Sequence, residues 1–189
     1  MRISGGSAKG RTVILKKAFI RKGDLDELRP TSGKVREAIF NILGPRVADC
    51  RFLDLFAGTG AVGLEALSRG AREAVFVDIS SARVRLIDEL AERFGFQEQS
   101  FSVKEDAGAF LRNNRLPFDI VFVDPPYASD GIMKILSLFD ADTTLVPGGT
   151  LIIEHAKKSI FPEKLTRSER NKCYKYGDTM LSVYRKEPL

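Results

Sequence analysis

The sequence predicts an α/β protein: a doubly wound, mostly parallel seven-stranded sheet with an antiparallel hairpin at its C-terminal end and a small basic hairpin and helix at its start. Three observations carry that prediction. Apolar runs of strand length alternate with helical patterns from residue 51 to residue 154. One of these runs, Phe52-Leu53-Asp54-Leu55-Phe56-Ala57-Gly58-Thr59-Gly60, stops on a glycine turn and passes directly into a helix. Two further runs near the C-terminus follow each other with no helix between them. A chain of 189 residues suits one core that buries roughly 70% of its unfolded surface, so stability requires neither disulfides nor metal.

Residues 1–45 read as a basic extension within one compact unit, and 46–189 as the sheet domain. The glycine-rich basic stretch over 2–11, followed by Thr12-Val13-Ile14-Leu15, reads as a short hairpin with basic residues at its turn. Leu28-Arg29-Pro30-Thr31-Ser32 leads into a helix. Pro30 disfavours helix at Arg29, Thr31 or Ser32 can cap, and Val35, Ile39, Ile42 and Leu43 recur at helical spacing up to Gly44-Pro45. The other face of that helix carries Lys34 and Arg36, expected to point outward. Strands are then expected at 51–56, 74–78, 100–104 and 118–123, and helices at 60–69, 80–94, 106–113 and near 130–139. Pro147-Gly148-Gly149 reads as a turn before the strand Thr150-Leu151-Ile152-Ile153-Glu154. Strands over 173–176 and 180–184 meet at Gly177-Asp178, which gives the sheet an antiparallel edge.

The net charge of +5 is unevenly spread: residues 1–36 hold ten Lys/Arg against three Asp/Glu, leaving twenty against twenty-two in the remainder. A basic segment on a nearly neutral body suggests a polyanion, and nucleic acid ahead of a membrane surface because no amphipathic apolar face accompanies the charge. Arg2, Lys9, Arg11, Arg29, Lys34 and Arg36 are expected to form one positive surface beside the mouth of the active site. The two cysteines, Cys50 and Cys173, sit in no CxxC or Cys/His cluster, which predicts buried thiols, a reducing compartment and no zinc. With no apolar leader and no run approaching the roughly 18 apolar residues of a membrane span, a cytoplasmic monomer is expected.

The chemistry concentrates in three places. A helix start gathers unpaired N–H groups, and glycines there let a ligand's polar end approach the backbone; Gly58-Thr59-Gly60-Ala61-Val62-Gly63 also fits the dinucleotide glycine pattern. Eighteen residues past Gly60, the strand Ala74-Val75-Phe76-Val77 ends on Asp78, where a carboxylate can accept both hydroxyls of a ribose. The strand 118–123 ends in Asp124-Pro125-Pro126-Tyr127. The prolines fix φ and give no N–H, so rigid carbonyl acceptors stand beside a carboxylate, which suits an exocyclic amine, and Tyr127 can stack on the base that carries it. His155, the single histidine, has no partner in an elbow motif and reads as structural.

Asp54-Leu55-Phe56-Ala57-Gly58-Thr59-Gly60, Asp78 and Asp124-Pro125-Pro126-Tyr127 resemble the motifs of class I, Rossmann-like S-adenosylmethionine-dependent amino-methyltransferases. Arg29-Pro30-Thr31 with Val35-Arg36-Glu37, and Gly63-Leu64-Glu65-Ala66-Leu67-Ser68-Arg69-Gly70-Ala71, closely resemble the bacterial RsmD family, which methylates a guanine N2 of small-subunit ribosomal RNA. The resemblance implies that Asp54 and the backbone of Ala57, Gly58, Thr59 and Gly60 hold the methionine end of S-adenosylmethionine, Asp78 with Ile79 the ribose side, and Asp106 with Ala107 the adenine edge. It also implies that Asp124, Pro125, Pro126 and Tyr127 form the catalytic set, that Thr31 joins the basic residues at the RNA, and that S-adenosylhomocysteine is the product. The substrate implied is ribosomal RNA or an assembling small-subunit particle. Three other readings stay open: a DNA adenine-type amino-methyltransferase, since Asp-Pro-Pro-Tyr occurs there too; an NAD-dependent oxidoreductase, from the glycine pattern; and a non-enzymatic RNA-binding module, from the charge.

Overall fold

The computed structural model describes residues 1–13, 31–125, 131–140, 144–159, 161–165 and 167–188. Among these residues, eight strands form one sheet: β1 (Arg51–Leu55), β2 (Glu73–Asp78), β3 (Ser100–Lys104), β4 (Phe118–Val123), β5 (Leu145–Ala156), β6 (Lys164–Leu165), β7 (Ser168–Tyr176) and β8 (Thr179–Lys186). Their order is β3-β2-β1-β4-β5-β8-β7-β6. The first five are parallel, and β8, β7 and β6 close the edge antiparallel. The expected seven strands gain an eighth because two residues, Lys164 and Leu165, pair with the start of β7.

Among the described residues, five helices cover the two faces: α1 (Gly33–Leu43), α2 (Ala61–Ser68), α3 (Ser81–Phe94), α4 (Ala107–Asn113) and α5 (Gly131–Asp140). The alternation of strand side chains divides the core. Phe52, Phe76, Phe122 and Ile152 pack with α1, α2 and α3, while Leu53, Val77, Val123 and Ile153 pack with α4 and α5. Three of these helices start on side-chain caps: Ser32 Oγ accepts from Val35 N at 3.3 Å, Ser80 Oγ from Arg83 N at 3.4 Å and Asp106 Oδ1 from Ala109 N at 3.0 Å.

The N-terminal hairpin forms over the described residues 1–13, bridged at Arg2 and Thr12, and docks on α2. Ser7 N donates to Ser68 O at 2.7 Å and Ala8 N to Ser68 Oγ at 3.0 Å. Gly6 (φ 77) is required there, because a Cβ would stand 1.7 Å from Ser68 O. Two local expectations change. Pro147-Gly148-Gly149 is an irregularity inside β5, where the pairing to β4 jumps from Phe118–Leu145 to Ile120–Thr150, because the backbone continues to pair on both sides of it. Of the two thiols Cys50 is buried, which pushes it up to about 12, whereas Cys173 is exposed on β7, its Sγ 3.5 Å from Ser182 Oγ. Among the described residues, no helix is long and apolar enough to cross a membrane.

Candidate functional site

Because β1 and β4 are adjacent and their neighbours continue in opposite directions, the carboxyl ends of β1, β2, β4 and β5 open into one crevice. The turn that leaves β1 is tightly wound. Phe56 (φ 58), Gly58 (φ 54) and Gly60 (φ 68) all take left-handed backbone, which for phenylalanine stores strain of order 1–3 kcal/mol. Gly63 lets α2 approach the sheet, since a Cβ there would lie 2.3 Å from the Phe76 ring.

Four N–H groups in and just after this turn are engaged internally, so the helix start is less open than the glycines lead one to expect. Ala57 N donates to Val77 O (3.1 Å), Gly58 N to Asp78 Oδ2 (2.9 Å), Gly60 N to Ala57 O (2.7 Å) and Gly63 N to Asp54 Oδ2 (2.9 Å). Strand pairing brings Asp54 and Asp78 under the turn, and their carboxylates fill the donors that a phosphate would need.

Four carboxyl groups share the α1–α3 face of this edge: Asp54 on β1, Asp78 on β2, Asp124 just past β4 and Glu154 on β5. Asp54 is 2% exposed, and Asp78 and Glu154 are each 4% exposed. Burial holds the Asp54 carboxyl well above the usual carboxylate range; the Gly63 N–H opposes this, and the charges of Asp124 and Asp78 add to it. Burial pushes Asp124 up to about 7 against the hydroxyl of Thr31. Burial and then the charge of Asp124 push Glu154 up to about 8, again against Thr31. Among the described residues, Arg83, 3.6 Å from Asp78 Oδ2, is the basic group in ion-pair range of these four.

Asp106 caps α4 with Oδ1, Ala107 is buried beside it, and Ile79 is 69% exposed next to Asp78, so an apolar surface and a carboxylate edge flank the crevice. Thr59 is buried within the turn and Pro125 is buried beside Asp124. Pro126, Tyr127 and Arg29 lie outside the described residues.

The expected basic surface is not assembled as one patch. Arg36 is buried rather than outward: its Nε lies 3.3 Å from Glu65 Oε2 and its Nη2 donates to Arg2 O at 2.6 Å, because α1 turns this side toward α2. The hairpin tip that carries Lys9 lies on Ser68, and Arg11 donates to Phe94 O at 2.9 Å. Those are the C-terminal ends of α2 and α3, which in a parallel βαβ unit point to the amino edge of the sheet, away from the crevice. Arg2 is exposed beside Arg36, at the first turn of α1. Thr31 is half-buried over the crevice and donates to Asp124 Oδ2 at 3.4 Å. Exposed basic groups at the carboxyl edge include, among the described residues, Lys34 in the first turn of α1, Lys157 and Lys158 after β5, and Lys175 near the β7–β8 turn. His155 is packed 4.3 Å from the Phe161 ring, donates from Nδ1 to Ala156 O and accepts at Nε2 from Ser182 Oγ, as a neutral ring that burial favours.

Sequence reasoning missed Glu154, Glu65 and Arg83. Glu154 carried the signal used for Asp78 and Asp124, an acidic residue at the carboxyl end of an apolar run. Glu65 and Arg83 are tied to partners in other elements and left no local signal.

The sequence profile of the family described as Conserved hypothetical protein 95 matches residues 1–185. Ribosomal RNA small subunit methyltransferase D of Escherichia coli (strain K12) is 34% identical over 163 residues, 86% of this chain and 78% of that protein. The protein of the same name from Buchnera aphidicola (subsp. Acyrthosiphon pisum) is 28% identical over 182 residues, 92% of this chain and 91% of that one. Among solved structures, yhhF from Escherichia coli superposes with a TM-score of 0.84 at 28% identity, covering 100% of this chain and 99% of that one. TTHA0928 of Thermus thermophilus superposes with a TM-score of 0.78 at 32% identity over the same shares. The chain belongs to the family described as Conserved hypothetical protein 95, the RsmD family that its motifs resemble.

Proposed function

We propose that this chain transfers a methyl group from S-adenosylmethionine to the exocyclic N2 amine of a guanine in small-subunit ribosomal RNA, acting as a cytoplasmic monomer on that RNA or on an assembling particle. The observation that carries the cofactor is the sign of the crevice. A dinucleotide brings a pyrophosphate, which needs open N–H groups and is repelled by carboxylates; here Asp78 and Asp54 accept from Gly58 N and Gly63 N, and Asp124 stands beside them as a third acid. An ammonium and a sulfonium are favoured by the same groups. The relatives named as small-subunit methyltransferases supply the substrate class.

Asp54 and the carbonyl oxygens of residues 57–60 would hold the ammonium end, Asp78 the ribose, Ile79 the face of the adenine and Asp106 with Ala107 its edge. Bound there, S-adenosylmethionine supplies a methyl group on a cationic sulfur. Asp124 and the Pro125 carbonyl accept the hydrogens of the target amine and favour the positive charge that its nitrogen acquires, with Pro126 and Tyr127 completing the base pocket. Positioning is the main catalytic device and no covalent nucleophile is required. In this proposal the RNA-facing part of residues 1–45 is the start of α1, with Thr31 and Lys34, and Lys157, Lys158 and Lys175 make the other phosphate contacts at the crevice.

The test uses labelled S-adenosylmethionine, the purified protein and small-subunit particles from a strain lacking this activity, digested to nucleosides. Label is expected in N2-methylguanosine. Label in N6-methyladenosine of added DNA moves the enzyme to the adenine class, and heat of binding with NAD but none with S-adenosylhomocysteine overturns the cofactor. Asp78→Ala is expected to weaken S-adenosylhomocysteine by about tenfold or more, the value of a hydrogen bond to a charged group, with the circular dichroism spectrum retained. Lys157→Ala with Lys158→Ala is expected to lower RNA affinity and reduce the salt slope of log affinity by roughly 0.7 to 0.9 for each phosphate no longer neutralised. Lys9→Ala with Arg11→Ala, at the opposite edge, should leave that slope unchanged in the same filter-binding titration.

A further inference from the structure

Glu154 lies one residue beyond Ile153, and Asp124 one residue beyond its registered partner Val123, so the two carboxyls stand side by side on adjacent strands and on one face of the sheet. Among the described residues no ion pair includes Glu154, and its Oε2 is buried with no hydrogen-bond partner. Among the described residues its neighbours are acidic or apolar, with the Thr31 hydroxyl as the exception. Leu181 is opposite it on β8, Asp124 is beside it on β4, Asp54 and Asp78 lie beyond on β1 and β2, and Arg36 of α1 is engaged by Glu65. Such surroundings hold a neutral carboxyl far better than an ionised one.

Thr31 connects the pair. Its Oγ1 donates to Asp124 Oδ2 at 3.4 Å, and the same hydroxyl acts on the Glu154 carboxyl, opposing its upward shift. A hydroxyl has one hydrogen to give, so it can serve one ionised carboxyl and not two. The second carboxyl is satisfied when it carries a proton and donates it to the hydroxyl oxygen.

We infer that Glu154 is a positioning residue for methyl transfer: it keeps a proton, donates it to Thr31, and through the hydrogen of Thr31 fixes the Asp124 carboxylate toward the target amine. The inference rests on the assignment of Asp124 to that amine. The proton of the pair belongs on Glu154, which is 4% exposed with its Oε2 unpartnered, whereas Asp124 accepts the Thr31 hydrogen. Raising the pH through the Glu154 value removes it, leaves one hydroxyl hydrogen between two carboxylates, and lowers the rate.

Single-turnover methyl transfer to small-subunit particles, followed from neutral to alkaline pH, tests this. Wild type should fall on the alkaline side. Glu154→Gln, which keeps a neutral donor for Thr31, should stay within about threefold of wild type at neutral pH and lose the alkaline fall, whereas Glu154→Ala should drop by about tenfold or more through misplacement of Asp124. Equal affinity of all three proteins for S-adenosylhomocysteine verifies that they are folded. An alkaline fall that persists in Glu154→Gln, or a Glu154→Ala rate equal to wild type, overturns the inference. An activity-independent readout is the carbon-13 resonance of the Glu154 carboxyl, identified by its loss in the glutamine variant. Titration near pH 8 supports the protonated form, and titration near the ordinary 4.5 overturns it. Absence of label in guanine with wild type counts against the proposed activity, and the resonance still decides the state of Glu154.

Discussion

Asp124→Ala lowers the rate of methyl transfer by about 10²- to 10³-fold, the loss observed when one preorganised partner of a developing charge is removed. Affinity for S-adenosylhomocysteine, measured by calorimetry, stays nearly intact. The separation follows from what each carboxylate touches. The side chain of Asp124 meets the Thr31 hydroxyl and carries no part of the glycine turn, whereas Asp78 accepts from both Gly58 N and Ser80 N and so supports the cofactor crevice itself. Asp124→Asn keeps one acceptor oxygen and should lose less. An equal fall in rate and in S-adenosylhomocysteine affinity for Asp124→Ala would sink the division between the two sites.

The largest effect on stability is expected at Glu65. This fully buried carboxylate accepts from Ser4 N at 2.9 Å, Ser4 Oγ at 2.7 Å and Arg69 Nε at 2.9 Å, and pairs with Arg36 Nε at 3.3 Å, joining the N-terminal hairpin, α1 and α2 at one point. Glu65→Ala leaves the buried guanidinium of Arg36 without its counter-charge. Breaking a buried pair in that way costs about 3–5 kcal/mol. For a domain of this size the melting temperature should fall on the order of 10 °C. Glu65→Gln keeps the hydrogen-bonding shape and should fall between. A loss below about 1 kcal/mol, the range of an exposed ion pair, would mean that the network is solvated in solution.

The sheet, its helices and three of the four crevice carboxylates were legible, Asp54 through the family motif and the other two because an acidic residue interrupts an apolar run where a strand meets the carboxyl edge. Asp78 and Asp124 each end such a run. Glu154 also ends the apolar run of the expected strand, but no glycine turn or proline motif follows it to mark a ligand site, and the strand itself runs on to Ala156. The occupancy of the loop N–H groups was not legible, since their acceptors reach the turn through strand pairing rather than sequence proximity. Helical spacing marked Arg36 as off the apolar stripe, but a basic residue leaves that stripe equally for water or for a buried partner, and Glu65 lies on another helix. Counting charge along residues 1–36 could not show which edge of the sheet would receive it. The direction of α2 and α3 decides that, and it sends Lys9 and Arg11 to the edge opposite the crevice.

The raised carboxyls of the crevice tie cofactor binding to proton release. Asp54, Asp124 and Glu154 all hold protons above the usual carboxylate range in the folded chain. A group with a raised folded value favours folding fully below its unfolded value, and that contribution disappears as pH rises through the folded one, to about 8 for Glu154. The unliganded chain therefore loses stability over the same interval in which its pocket gains negative charge for a cation. A cationic ligand that favours the ionised carboxyls expels protons to the buffer on binding, so its measured heat carries the ionisation enthalpy of that buffer and its affinity rises with pH. Resistance to unfolding and grip on the cofactor thus run in opposite directions along the pH scale, and the degree to which the ligand protects the fold against heat grows as the medium becomes more alkaline.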